Sequence, residues 1–209
     1  MKSFNCTVHS PAIFDNLEFM LTAAPQTFMI PLQETYNLFV DLNRRSTTFT
    51  ATEDVRYFED VRYLKDNSQE QKYRNMAAGL FGRYIKNGCD ATNRVADELY
   101  EALAAGTISE SEITQVLAAD LLWGGQLRPS QEPIVIVMEA SWLAEVHDVE
   151  RAAQRCEILR RIGIASLAVV GGQEWAANAA DLAEQLRVVT TQNGHIDHPS
   201  WERAMNQQK

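Results

Sequence analysis

The run "EPIVIVMEAS" (132–141) constrains this chain more than any other stretch. Residues Ile134 to Met138 are apolar without alternation. A strand carries such a run only when both of its faces are covered. It therefore predicts a central strand with a layer on each side, and at its end it delivers a carboxylate, Glu139, with Ser141 two residues on. A second short apolar run, "DLLWGG" (120–125), opens on Asp120, and the connecting "GGQLRPSQEP" has the composition of a hairpin loop. Antiparallel pairing of the two runs would set the start of one beside the end of the other. Asp120 and Glu139, although 19 residues apart, would then converge.

The rest of the second half alternates in the same way. Residues 146–162 show helical spacing of Val149, Ala152, Ala153, Cys156 and Leu159, and "ASLAVVGG" (165–172) reads as a buried strand stopped by glycine. A helix over 173–186 and a strand in "RVVTTQNGH" ending at an Asn-Gly turn complete the pattern. Strands interleaved with helices predict an α/β fold: a mixed sheet flanked by helices.

Upstream the grammar is helical. Tyr73, Met76, Ala77, Leu80, Phe81 and Tyr84 recur at helical spacing over 66–87, with Asn87-Gly88 suited to the C-cap. A helix follows over 93–106, and a short one opens on a capping box from Ser109 to Glu112. Residues 53–63 fit a loop or a helix, and "STTFTAT" (46–52) is short and β-branched. Residues 26–44 place Met29, Leu32, Tyr36, Phe39 and Val40 on one apolar helical stripe that needs a partner, with the helix starting near Pro31. The expected organisation is an N-terminal helical extension (1–60) serving interaction or dimerisation, an α/β domain (61–198) and a polar tail (199–209) that frays.

Net charge is −9, which disfavours nucleic acid as a partner, because phosphate neutralisation supplies most of the affinity of such proteins. No apolar run reaches the roughly 20 residues of a membrane helix. Three scattered cysteines, Cys6, Cys89 and Cys156, suit free thiols in a reducing cytoplasm.

The pattern "DLLWGG…EPIVIVMEAS" resembles the acid–strand–acid signature of the PD-(D/E)XK nuclease-like superfamily, in which an Asp opens one strand and Glu-X-Lys closes the next. "HDVERAAQRCEILRRIGIASLAVVGGQEW" and "LKDNSQEQKYRNMAAGLFGRYI" resemble a bacterial, notably cyanobacterial, group of that class, and the resemblance spans roughly residues 62–195. It implies a restriction-endonuclease-like fold, with Asp120, Glu139 and Glu70 as ligands of Mg²⁺, the kind of oxygen donors a hard cation takes. Ser141 stands where the lysine belongs. A serine hydroxyl carries no positive charge and cannot supply the electrostatic part of that lysine's role. Lys65 and Lys72, flanking Glu70, are the candidates for a migrated lysine.

Other features have plainer expectations. Arg151 and Arg155, at i and i+4, suit a phosphate-binding face but more simply a solvated, ion-paired one. His147 precedes Asp148 at a helix start, where Asp148 caps. "HIDH" (195–198) fits polar filling of a turn, and "VVGG" lacks the phosphate-loop pattern. Cys156 reads as inert packing. The function expected from all this is a non-catalytic interaction or regulatory protein on a degenerate nuclease-like scaffold, self-associating or binding a protein partner through its N-terminal helices. The alternative is an Mg²⁺-dependent nuclease.

Overall fold

A computed structural model of the chain describes residues 51–206, with side chains from residue 60 onward. The apolar stripe from Met29 to Val40 and residues 46–50 lie outside that range. Helix α1 (Ala51–Phe81) is followed by β1 (Ile85–Asp90), α2 (Thr92–Ala104) and α3 (Glu110–Leu117). Next come β2 (Leu121–Leu127), β3 (Pro133–Ala144), α4 (Val146–Arg161) and β4 (Ser166–Trp175). The chain ends with α5 (Ala177–Gln185), β5 (Val189–Gln192), β6 (His195–Ile196) and α6 (His198–Met205). Among the described residues no helix is long and apolar enough to cross a membrane.

The six strands form one mixed sheet in chain order, β1-β2-β3-β4-β5-β6. Pairing is antiparallel through β1, β2 and β3, parallel from β3 through β4 to β5, and antiparallel again at β6. The fold is thus α/β, with helices on both faces. β3 is central and is buried without a break from Ile134 to Ser141, as its unalternating sequence demands. Its even-numbered residues Ile134, Ile136 and Met138 pack with Tyr73, Ala77 and Phe81 of α1 and Trp201 of α6. Its odd-numbered Val135 and Val137 pack with α2, α3, α4 and α5.

The first helix differs from expectation at both ends. It runs through 53–63 because nothing there breaks it, and it stops at Phe81, before Gly82. The residues expected to close that helix belong instead to β1. Asn87, expected in a C-cap, adopts φ 55° where the β1–β2 register slips between Lys86 and Cys89. An Asn in the left-handed region serves a bulge as well as it serves a cap.

β2 likewise runs through Gly124-Gly125 rather than stopping there. A Cβ on Gly124 would sit 2.6 Å from Arg94 Nη2, and one on Gly125 would sit 2.3 Å from Ile85 Cγ2. The glycines admit close neighbours; they do not break the strand. β4 also continues past its glycines, because a Cβ on Gly171 would meet the Tyr73 ring and Met138 Cε at 2.6 Å.

The tail is not frayed over 199–205. It forms most of α6, capped by Asp197, which accepts a hydrogen bond from Ser200 N at 2.9 Å. Trp201 is buried and stacks on Tyr84 with ring centroids 4.1 Å apart. Trp201, with Ala204 and Met205 three and four residues on, makes an apolar face that outweighs the polar residues around it.

Candidate functional site

The antiparallel β2–β3 hairpin places Leu121 opposite Met138. Asp120 and Glu139, one step further out, therefore stand beside each other at the same end of the sheet. Asp120 Oδ2 accepts a hydrogen bond from Ala140 N at 2.7 Å, which ties the start of β2 to β3. The half-buried Asp120 carboxyl is lifted above its ordinary range. Burial is the main cause; the Ala140 N–H opposes it, the negative charge of Glu70 adds to it, and Arg155 and Arg151 reduce it.

A cleft of about 470 Å³ opens here. Asp120, Glu70 and Ser141 all line it, together with Asp66, Asp148 and Arg151. Three of the residues singled out in the sequence are thus gathered in one place. Glu70 is engaged by Arg74, whose Nε is 2.8 Å from Oε1. Asp66, on the preceding turn of α1, accepts a hydrogen bond from Trp142 N at 2.8 Å. Neither Lys65 nor Lys72 lines the cleft; the Lys65 ammonium lies 4.7 Å over the Trp142 ring instead.

Glu139 is the residue that departs from the expected picture. It is only 2% exposed and does not line the cleft. Its side chain follows the odd-numbered face of β3 toward α4, where two guanidinium groups meet it. Arg151 Nε lies 3.0 Å from Oε2, and Arg155 Nη1 pairs with Oε1. Arg155, expected on a solvated face, is buried, and its Nε donates to the Gln115 carbonyl of α3 at 2.6 Å. Burial pulls its guanidinium below its ordinary range while Asp120 raises it. Arg151 also reaches Asp148 Oδ1 at 2.6 Å.

Asp148 is buried and is the N3 residue of α4, not its N-cap, which is Glu145: Glu145 N donates to Asp148 Oδ2 at 2.8 Å, and the two residues form a capping box. His147 stands between two acids, its Nε2 3.3 Å from Asp148 Oδ1 and its Nδ1 3.9 Å from Glu145 Oε2. Arg62 of α1 pairs with Glu145 in turn. The result is a chain of alternating charges from α1, through the start of α4, into the core.

The sequence points Arg151 and Arg155 to a solvated, ion-paired face, and the structure pairs both with the buried Glu139 instead. A signal for that pairing exists: two arginines four residues apart on the helix that follows a strand ending in Glu139. Their spacing puts both on one face of α4, and buried Val149, Ala152, Cys156 and Leu159 show that this helix packs on β3 and β4. Cys156 is fully buried and burial pushes its thiol up to about 12, which fits inert packing.

The carboxylates that the resemblance implies for Mg²⁺ already have protein partners. Both oxygens of Glu139 are held by arginine, one oxygen of Glu70 is held by Arg74, and Asp120 Oδ2 is held by a backbone N–H. Among the described residues no three His, Cys, Asp or Glu side chains are grouped as a cation would need. No family model matches the chain, and no curated protein or solved structure is significantly similar to it.

Proposed function

We propose that this chain is a non-catalytic interaction or regulatory protein of the bacterial cytoplasm, built on a degenerate PD-(D/E)XK nuclease-like scaffold. The observation that carries the proposal is the arginine pair on Glu139. Where the resemblance puts a metal ion and a lysine, this chain puts Arg155 and Arg151 as internal counter-ions, and Ser141 in place of the lysine. A buried carboxylate held by two guanidinium groups is a structural element; freeing it for a cation would leave the buried Arg155 without its acid, while Arg151 would keep Asp148.

Support for the scaffold comes from the order of its parts. A long helix carries Glu70, Asp120 opens one strand of an antiparallel hairpin, Glu139 lies toward the end of the other, and a helix leads to a parallel neighbour. Binding would then fall to surfaces outside the cleft, the N-terminal residues (1–60) among them, with a protein partner or a second copy as the occupant.

Calorimetric titration of Mg²⁺ and Mn²⁺ into the full chain, beside a cleavage assay on plasmid DNA and on RNA, tests the proposal. The expected outcome is no saturable heat below millimolar metal and no cleavage. Metal-dependent cleavage that disappears in Asp120→Asn would establish the competing reading, an Mg²⁺-dependent nuclease. That reading requires Arg151 and Arg155 to leave Glu139. The interaction role has its own check: deletion of residues 1–45 should abolish self-association or partner capture. Sedimentation showing the same monomer before and after deletion counts against it.

A further inference from the structure

β2 pairs with β3 only from Pro133 to Met138, while β3 itself runs on to Ala144. Beyond Met138 the edge of β3 that faced β2 has no strand beside it among the described residues, and two carboxylates stand in. Asp120 Oδ2 accepts from Ala140 N at 2.7 Å, and Asp66 Oδ1 accepts from Trp142 N at 2.8 Å. Two residues along a strand span about 7 Å, so these acids bracket Ser141. Glu70 follows Asp66 by one turn of α1, near enough for its negative charge to bear on Asp120. Arg62 closes the rim: it pairs with Asp66 at 3.8 Å and with Glu145, which ties α1 to the start of α4. Hydrogen bonds and ion pairs thus gather these groups at one strand end.

Within this frame Ser141 is only 9% exposed and lines the cleft, and its hydroxyl has no hydrogen-bond partner among the described residues. A hydroxyl so far removed from water is costly unless something bonds to it. Two carboxylate oxygens of the cleft are open in the same way. Asp120 uses Oδ2 and leaves Oδ1; Glu70 gives Oε1 to Arg74 and leaves Oε2. The guanidinium groups of the cleft are already taken: Arg62 pairs with Glu145, and Arg151 with Asp148 and Glu139. Five carboxylates line the cleft against these two, an excess of three negative charges with His147 counted as neutral. An anion finds no free guanidinium there. A cation finds three oxygens, on α1, at the start of β2 and on β3.

We infer that the cleft binds a small organic ammonium ion, whose N–H groups donate to Asp120 Oδ1, Glu70 Oε2 and the Ser141 hydroxyl. A primary ammonium carries three donors, one for each oxygen. Mg²⁺ asks for near-ideal octahedral oxygens at about 2.0–2.1 Å, and the bonds that hold Asp120 and Glu70 by their other oxygens work against that geometry. An N–H···O contact is longer, about 2.8 Å, and accepts partners on separate elements. The surplus of acid favours a second positive charge, so the ligand class is an aliphatic diamine. The inference rests on this cleft alone, and on neither the scaffold nor the partner binding proposed above.

The probe is 1,4-diaminobutane, titrated calorimetrically into the full chain in about 0.15 M salt, which screens long-range attraction to the net charge of −9. One saturable site per chain is expected. Tetramethylammonium has the charge but no N–H donor and should show no such site. Asp120→Asn keeps an acceptor for Ala140 N and turns Oδ1 into an NH₂ donor, and it should weaken binding about tenfold or more. Ser141→Ala should weaken it about threefold or more. Glu132→Gln removes the same charge from an exposed position at the far end of β3 and should bind as wild type does. Absence of saturable binding overturns the inference. So does equal binding of tetramethylammonium, wild-type affinity in either cleft variant, or an equal loss in Glu132→Gln. A chain that takes neither Mg²⁺ nor the diamine overturns this inference alone and leaves the function proposed above standing.

Discussion

The two faces of β3 make different use of the same kind of sequence. On the even-numbered face, Ile134, Ile136 and Met138 meet α1 and α6 through apolar contact, and the principal polar feature there is the Thr191 hydroxyl donating to Tyr73 OH at 2.8 Å. On the odd-numbered face, Val135 and Val137 give way to Glu139, and the packing helix answers with Arg151 and Arg155. One face is held by shape and the other, at its end, by charge. An apolar run can therefore end in a buried acid wherever the next helix returns a guanidinium to the same depth. The cost of desolvating such a charge is met only if its partners stay in place.

Removing one member of the charged set should have the largest effect. Glu139→Ala leaves the buried Arg155 without its acid and should cost about 3–5 kcal/mol in urea unfolding; Arg155→Ala should cost somewhat less, because Arg151 still holds Glu139 Oε2. Replacing both partners together, as Glu139→Leu with Arg155→Met, should recover most of that loss. If both single variants lose less than about 1 kcal/mol, the pair is not a structural element and the contrast between the faces fails.

On the shape-held face the sharpest probe is Gly171→Ala. The added methyl would stand 2.6 Å from the Tyr73 ring and from Met138 Cε, well inside contact distance. A loss of about 1–3 kcal/mol is expected from overpacking, with no change in the dependence of stability on salt. A neutral outcome would mean that α1 moves off the sheet freely, and the tight packing of this face would have to be given up.

These two faces were not equally legible in the sequence. Apolar periodicity located β3, α4, β4 and the hairpin register, because burial writes itself directly into residue type. The capping box at Ser109 and the turn at Asn193-Gly194 were legible for the same local reason: their hydrogen bonds lie within a few residues. β1 was not, since only Ile85 of its six residues is buried and its place at the sheet edge is set by pairing with β2. The glycines of β2 and β4 read as stops because their purpose, room for Arg94, Ile85 and Tyr73, lies on distant segments. The cleft was half legible. That Asp120 and Glu139 end side by side followed from strand pairing, and Glu70 and Ser141 came only with the resemblance, whereas the burial of Glu139 behind Arg151 and Arg155 depended on which way one strand residue faces. A period of two makes that an all-or-none question.

The smallest effects separate two acids whose environments have opposite signs. Glu112 is an exposed acid in the capping box of α3, held down to about 2 first by Arg161 and then by the amide and hydroxyl of Ser109. A depressed carboxylate stabilises the fold above its unfolded value and loses that contribution as pH falls from about 4.5 toward 2. Glu112→Gln should therefore be slightly less stable than wild type at pH 7, with a difference that closes across that window. Asp120 is raised by burial, so its charged form opposes folding once pH exceeds the ordinary value of 3.8. Asp120→Asn keeps an acceptor for Ala140 N and removes the charge. It should be slightly more stable than wild type at pH 7, and the gain should vanish as acidification protonates Asp120. Urea unfolding of the three proteins at half-unit steps from pH 7 to pH 2, with carboxyl carbon titration by NMR, reads both signs. An Asp120→Asn variant that is less stable at neutral pH, with a deficit that disappears in acid, would mean that Arg151 and Arg155 hold Asp120 as a wanted anion. The end of β2 would then belong with the charged set around Glu139, and the cleft would carry one more fixed negative charge than its burial favours.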